Sequence, residues 1–361
     1  MTELQPDETV QKFLISSTSR LVGEYKNDDL LITHAWPPFQ NLRIDRFTEG
    51  PISRSAYAVV FRTESVEKGK GVPLPDYSIN GDIICAYLSI LFGKRFDNHG
   101  MTEGSGFYHL PELSQYQDLS IAKLSQNNHL PRKNFEIPLN LVEFKRIERL
   151  FLDDSLDQKF RDHLDTAGKF YLNAMRDIER NPEAAYLHLI TAGEVLSNFY
   201  DYDSYTLLDE ATKKTIKEIK ALQGGEELAK QINYKLRQIK RRFLKSTLSL
   251  INDEFFLGGE ASNEHECLKK EDFEDQLAAA YDLRSIHLHS GLPFGSWISP
   301  MNWGNNEVHF GEPVVEDRDL GKALAKAPTF CGLERTIRFA LLRFIQTEGF
   351  PIDLTNDREY S

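Results

Sequence analysis

The residues best suited to chemistry are an arginine and two histidines near the end of one apolar run, Ala280-Tyr281-Asp282-Leu283-Arg284-Ser285-Ile286-His287-Leu288-His289-Ser290-Gly291. A guanidinium binds phosphate oxygens through paired N–H donors, and an imidazole moves protons near neutral pH. Arg284 with His287 or His289 is therefore close enough in sequence to serve one phosphate. The spacing alone carries little weight. With 21 Arg and 10 His in 361 residues, roughly one or two R-x(4–6)-H matches arise by chance.

The run must be carried by a helix. Phe273, Leu277, Ala280, Arg284 and His287 recur at spacings of four and three, which puts them on one face. A guanidinium that continues an apolar stripe is costly to bury without a partner. The pattern thus predicts either a carboxylate beside Arg284, with Glu194 on its otherwise apolar helix as the candidate, or a subunit interface and ligand. His289 lies five residues beyond Arg284, roughly 140° further round an ideal helix. It falls where the helix should stop, with Gly291 able to take the left-handed terminating conformation.

The rest of the chain changes texture near residue 135, which predicts an α+β fold: a mixed α/β domain over 1–135 and an all-α helical bundle over 136–361. In the first part, strand-like runs such as Leu30-Leu31-Ile32-Thr33-His34-Ala35-Trp36 and Ala56-Tyr57-Ala58-Val59-Val60-Phe61-Arg62 alternate with turns at Trp36-Pro37-Pro38 and Glu49-Gly50-Pro51. One helix is expected over about 79–93. Polar connections around Gly104, Gly106 and Ser125-Gln126-Asn127-Asn128 then lead to a short strand-like Phe135-Glu136-Ile137-Pro138-Leu139. In the second part, Asp153-Asp154-Ser155 offers caps for a helix to about 180. Asn181-Pro182-Glu183 supplies an N-cap, an N1 proline and an acidic first turn for the next. Ala185, Leu189, Ala192, Leu196 and Phe199 form its buried stripe. Further helices are expected over roughly 207–222, 226–252, 270–289 and 328–347.

Composition narrows the possibilities. The chain is 40% hydrophobic and 27% charged, ordinary values for a globular protein. Cys85, Cys267 and Cys331 are widely spaced and form no C-x-x-C pair, which suggests a reducing, cytoplasmic setting rather than a disulfide framework. The first residues lack a leader pattern, and the longest apolar stretch, Ile83 to Phe92, is too short to span a bilayer, so a soluble protein without membrane association is expected. A net charge of −12 argues against nucleic-acid binding by the surface at large. The segment from Lys213 to Lys245 is different, at +8, leaving −20 elsewhere. Its residues Lys235, Arg237, Lys240, Arg241, Arg242 and Lys245 are either a solvated, salt-bridged helix face or a phosphate-backbone track. His34, His99, His109, His129 and His163 have no metal-ligand spacing, and His265-Glu266-Cys267 has no second cluster, so neither a metal nor a cofactor is expected. Trp36, Trp297 and Trp303 read as core or loop anchors.

These residues resemble the HEPN superfamily, and within it the Apea-like HEPN domains. The family's helix ending in a Y-x-x-R-S-x-x-x-H pattern is matched by Tyr281, Arg284, Ser285 and His289. An upstream helix of A-x-x-Y-x-x-A type looks like Ala167-Gly168-Lys169-Phe170-Tyr171 through Ala174. The apolar-Glu helix after it looks like Thr191-Ala192-Gly193-Glu194-Val195-Leu196, and the closing helix like Leu333 to Leu342. The resemblance covers about 140–348. It departs at Gly193, where the family usually has leucine and a packing contact should be weaker, and at Ser290, which separates His289 from the usual glycine.

The resemblance implies a homodimeric, metal-independent endoribonuclease, plausible as a toxin or antiviral-defence effector. A 2′-hydroxyl attacks the adjacent phosphorus, an imidazole takes its proton, and arginine stabilises the anionic phosphate. Arg284, His289 and Ser285, with His287 as a rival imidazole, carry the chemistry in this reading, supported by Glu194 and Tyr281. The alternative is a non-catalytic dimeric HEPN module that binds RNA, a nucleotide or a protein partner. A third reading places the active role in residues 1–135, as a ligand-binding regulator.

Overall fold

Alternating apolar and polar residues build the first layer. A computed structural model of the chain describes residues 4–35, 54–65, 75–117, 120–203, 205–235, 238–311 and 313–354, the side chains of 233–235 apart. Strand β1 (Glu8–Ser17) is flanked antiparallel by β4 (Ser55–Glu64) and β5 (Phe96–Gly104). With β2 (Tyr25–Lys26), β3 (Leu30–His34) and β6 (Phe107–Tyr108), the sheet order is β2-β3-β4-β1-β5-β6. Phe13 and Ile15 on β1, Leu30 and Ile32 on β3, and Tyr57, Val59 and Phe61 on β4 alternate along their strands and are buried. Ile15 faces Tyr57 and Ile32 faces Val59 in register, so period-two patterning gives one apolar face. The expected turn residues Trp36, Pro37, Pro38, Glu49, Gly50 and Pro51 lie outside the described residues.

Helix α1 (Ser78–Phe92) covers the sheet, and its every residue from Ile84 to Phe92 is buried. It packs on β5 and β1 on one side and on α2 (Gln158–Asp177) on the other. A helix apolar all round belongs in a core, which is what the Ile83 to Phe92 stretch becomes. Among the described residues no helix is long and apolar enough to cross a membrane.

The remainder is helical, giving the α+β class. After α2 come α3 (Pro182–Phe199), α4 (Glu210–Lys220), α5 (Gly225–Lys235), α6 (Ile239–Leu250), α7 (Phe273–Ser290), α8 (Arg318–Lys326) and α9 (Phe330–Thr347). Asn181 caps α3 through Ala184 N, with Pro182 in its first turn. α3 is the hub, packed against α2, α6, α9 and α7.

The sheet side and the helical side share one apolar core, a continuous cluster from Phe13 to Leu354. Buried charges cross the expected boundary near 135. Arg132 forms ion pairs with Glu334 of α9 at 2.6 Å and Glu260 at 2.9 Å. Arg338 of α9 donates to the carbonyls of Ile90 and Leu91 at 2.9 and 2.7 Å, satisfying groups that the end of α1 leaves open.

Several expectations are corrected. The single helix expected over 226–252 is two, separated at Gln238, whose φ is +48°. The first half pairs with α4 around a separate small core of Leu208, Ile216 and Ala229, while the second packs on α3, so one straight rod cannot serve both. The cap of α2 is Asp157, which accepts from Phe160 N at 2.9 Å, because Asp153 is engaged in a turn with Ser155. Phe135 to Leu139 form no strand. Pro138 has no ladder donor, and Phe135, Ile137 and Leu139 instead drop into the core, leaving an isolated bridge from Asn140 to Val22. Helix α8 has no counterpart in the sequence reading, being nine residues between irregular segments. Its cap, Asp317 accepting from Asp319 and Leu320 N, is the local signal.

Candidate functional site

α7 ends where its sequence says it should. Gly291 has φ +70°, and its N–H returns to His287 O, closing the helix with a left-handed residue. Ser290 is part of this stop rather than a spacer. Its hydroxyl donates to Ile286 O at 2.6 Å and accepts from Leu292 N at 3.3 Å.

Along the expected stripe, Phe273, Leu277 and Ala280 are buried, and exposure then increases. The Arg284 side chain is 24% exposed and forms an ion pair with Glu194 of α3 at 2.9 Å. Tyr281 O–H donates to the same carboxylate at 2.7 Å, and Arg284 Nη1 donates to the Tyr281 oxygen at 3.4 Å. The guanidinium also lies 5.4 Å from the centre of the Tyr281 ring. Burial, and then the Glu194 carboxylate, push the Tyr281 phenol well above its ordinary pKa, so it stays a proton donor to Glu194. Arg284, Tyr281 and Glu194 thus form a closed triangle within one chain.

Gly193 makes room for this triangle. A Cβ there would come 2.5 Å from the Phe243 ring of α6, and Phe243 in turn packs on Tyr281 with ring centres 5.5 Å apart. Phe243 thus occupies the space beside Gly193.

The other expected residues separate. His287 is half-buried, its Nδ1 2.9 Å from Leu292 O and its ring edge-on to Phe294 at 5.3 Å. His289 is exposed and has no hydrogen-bond partner among the described residues. Ser285 lies on another face, where it lines a groove of about 600 Å³ between α7 and α8 together with Asp275, Asp282, Lys322 and Lys326.

The basic segment is largely occupied with its own chain. Lys240 reaches Asp282 of α7 at 2.6 Å, and Arg241 pairs with Asp209 and donates to Leu207 O at 2.8 Å. Lys245 sits 5.2 Å from the Tyr202 ring centre, and Arg242 is partly buried near Tyr202. Arg237 and the side chain of Lys235 lie outside the described residues. Because α6 packs against α7, Lys240 adjoins the Arg284 site.

Sequence reasoning missed three contributors. Leu292, Phe294 and Glu183 fix the segment after α7, and Glu183 accepts from Gly295 N at 2.8 Å across 112 positions of sequence. Only its place in the first turn of α3 marked Glu183 beforehand. Trp297 and Trp303 do anchor the following loop, around His309 with ring centres 4.7 and 5.5 Å away. Among the described residues no group of three or more His, Cys, Asp or Glu side chains is arranged to hold a metal ion. The chain matches no protein-family model, no curated protein and no solved structure.

Proposed function

We propose that this protein is a metal-independent endoribonuclease of HEPN type, working as a homodimer at the end of α7, in the manner of a toxin or antiviral-defence effector. The observation that carries the reading is the Arg284 cradle. Glu194 and Tyr281 hold the guanidinium from the core side, while a quarter of the side chain stays open to solvent. Arginine has five N–H donors, and the two contacts leave donors for phosphate oxygens. Such a preoriented cation stabilises charge that grows on a phosphate during 2′-oxygen attack. An imidazole from the last turn of α7 supplies proton transfer. Lys240 and Lys245 on the adjoining α6 supply the approach for the RNA backbone, since their contacts with the half-buried Asp282 and Tyr202 lie at the surface and cost little to exchange.

Incubation of the purified full chain with a panel of RNAs in EDTA tests this reading. Cleavage to 2′,3′-cyclic phosphate ends that disappears in Arg284→Ala supports it, and no cleavage by the wild type overturns it. A second reading, the non-catalytic dimeric module, is favoured by one observation: Arg284 and Lys240 are already neutralised by Glu194 and Asp282. RNA binding without cleavage would select it.

A further inference from the structure

We propose that Tyr202, Arg242 and Lys245 form a nucleotide-binding subsite on the flank of α6 turned away from α7, where the tyrosine ring takes an unstacked base and the two cations take its phosphate. The proposal rests on the RNA reading above for the nature of its occupant, and it adds a grip remote from the bond that is cut.

Helical phase separates two groups of cations on α6. Lys240 and Arg242 are two residues apart, roughly 200° around the helix. Lys240 crosses to Asp282 of α7 at 2.6 Å. Arg242 lies instead beside Tyr202: burial raises the pKa of that phenol, with Ser246 and then Arg242 opposing from α6. Lys245 and Ser246 follow Arg242 by three and four positions, which stacks them on its side of the helix. The Lys245 ammonium stands 5.2 Å from the centre of the Tyr202 ring.

Charge pairing differs between the two groups as well. Lys240 and Arg241 have carboxylate partners, Asp282 and Asp209. Among the described residues no carboxylate pairs with Arg242 or Lys245. Arg242 Nε is buried without a hydrogen-bond partner, and the Ser246 hydroxyl, on a residue 1% exposed, lies near the Tyr202 phenol without completing a hydrogen bond. Buried donors are normally satisfied, and phosphate oxygens are acceptors suited to a guanidinium and a hydroxyl.

The ring is presented by an alternating run after α3. Tyr200 and Tyr202 have ring centres 6.2 Å apart and so share one side, while the intervening Asp201 is fully exposed. Tyr200 is fixed by Phe199 and Phe344, with ring centres 5.3 and 6.4 Å away. Among the described residues Tyr200 is the one ring stacked near Tyr202, which stays partly exposed. Asp201 lies 3.9 Å from Lys159 of α2, and Asp203 accepts from Tyr205 N at 2.9 Å. Both carboxylates are thus engaged outside α6. A cation over a ring face is held by the ring's quadrupole. A phosphate that draws the Lys245 ammonium aside leaves that face to a base, whose stacking tolerates any sequence. One nucleotide of an RNA strand and a free nucleoside monophosphate offer the same chemistry.

The experiment measures binding by the full chain, using fluorescence anisotropy of a labelled 2′-O-methyl oligonucleotide as a single strand and as a duplex. This probe lacks the attacking hydroxyl, so binding is read without cleavage. Tyr202→Ala should weaken single-strand binding at least about fivefold and leave duplex binding within about twofold, because paired bases are not free to stack. Tyr202→Phe, which keeps the ring, should bind as the wild type does. Arg242→Gln should lower the salt slope by about one. Competition by adenosine 5′-monophosphate that is lost in Tyr202→Ala supports a free nucleotide as occupant, and strand binding without such competition supports RNA. Tyr202→Ala that binds single strands normally, or loses single-strand and duplex binding equally, overturns the subsite. A wild type that binds neither the strand nor the monophosphate overturns it too. If strand binding depends on Tyr202 while the wild type leaves native RNA uncut, the nuclease reading fails and the subsite stands.

Discussion

Two sets of arginine–glutamate contacts in this protein use the same chemistry in opposite surroundings. Around α9, Arg335 pairs with Glu307 at 3.0 Å, both side chains at most 2% exposed. It also donates to the carbonyls of Phe255 and Gly258 and lies 3.9 Å from the Phe255 ring centre. Glu307 accepts in addition from the N–H groups of Glu260 and Leu268 at 2.6 and 2.8 Å. Burial pushes the Glu307 carboxyl up, and the Arg335 guanidinium opposes it. Arg132 shows the balance resolved: burial works against its charge, but Glu260 and Glu334 outweigh it. At the end of α7, by contrast, Arg284 has one carboxylate, one phenol and an open side. Pairing by itself does not mark a site. The network at α9 is committed to the fold, because breaking a buried pair leaves an uncompensated charge. Arg284 keeps spare donors at the surface, where a ligand can use them.

The largest effect should come from breaking the committed network. Glu307→Ala should cost about 3–5 kcal/mol, read as a lower urea midpoint or failure to fold. Arg284→Ala should cost less than Glu307→Ala, because Tyr281 still donates to Glu194 and a quarter of the Arg284 side chain already lies in solvent, while reducing RNA cleavage at least about 100-fold. If Arg284→Ala destabilises as much as Glu307→Ala and leaves cleavage intact, the contrast between the two regions collapses.

His309 sharpens it with a third environment. It is buried between Trp297 and Trp303, with no side-chain hydrogen-bond partner for either ring nitrogen among the described residues, and desolvation lowers its pKa to about 4. The unfolded chain takes up this proton near pH 6.5 and the folded chain does not. The contribution is therefore neutral above about pH 6.5 and destabilising as pH falls below it, by about 2 kcal/mol at pH 5. Urea midpoints at pH 7 and 5, followed by tryptophan fluorescence, should show a drop that His309→Phe reduces. The smallest effect is expected at Lys245, whose ammonium faces a tyrosine ring on the surface. Lys245→Ala should leave stability unchanged and lower the salt slope of RNA binding by about one.

Much of this architecture was legible in the chain. Asn181 and Pro182 start α3, Gly291 stops α7, and period-two runs mark β3 and β4, because each signal depends on neighbours within one turn or strand. The break at Gln238 was not legible, since it comes from two halves packing on different partners. Nor was the fate of Ser125-Gln126-Asn127-Asn128, read as a polar connection. Ser125, Gln126 and Asn127 are buried, and Ser125 O and the Asn128 side chain accept from the buried Lys94 ammonium. Polar composition suggested surface, and the satisfied lysine explains the interior placement.

The sequence by itself determined the helix that carries Arg284, the face on which Arg284 and His287 lie, and the glycine that ends it. Charge on an otherwise apolar helix makes Glu194 a candidate carboxylate for Arg284, with a subunit interface and ligand as the alternative. Tertiary structure decided how deeply each charge is covered. Arg132 meets Glu334 across 202 positions with both side chains buried, whereas Arg284 meets Glu194 with a quarter of its own side chain left in solvent. Local patterning sets which way a side chain points. Only the stacking of distant elements sets how much water remains beside it, and that water separates a structural arginine from one free to hold a ligand.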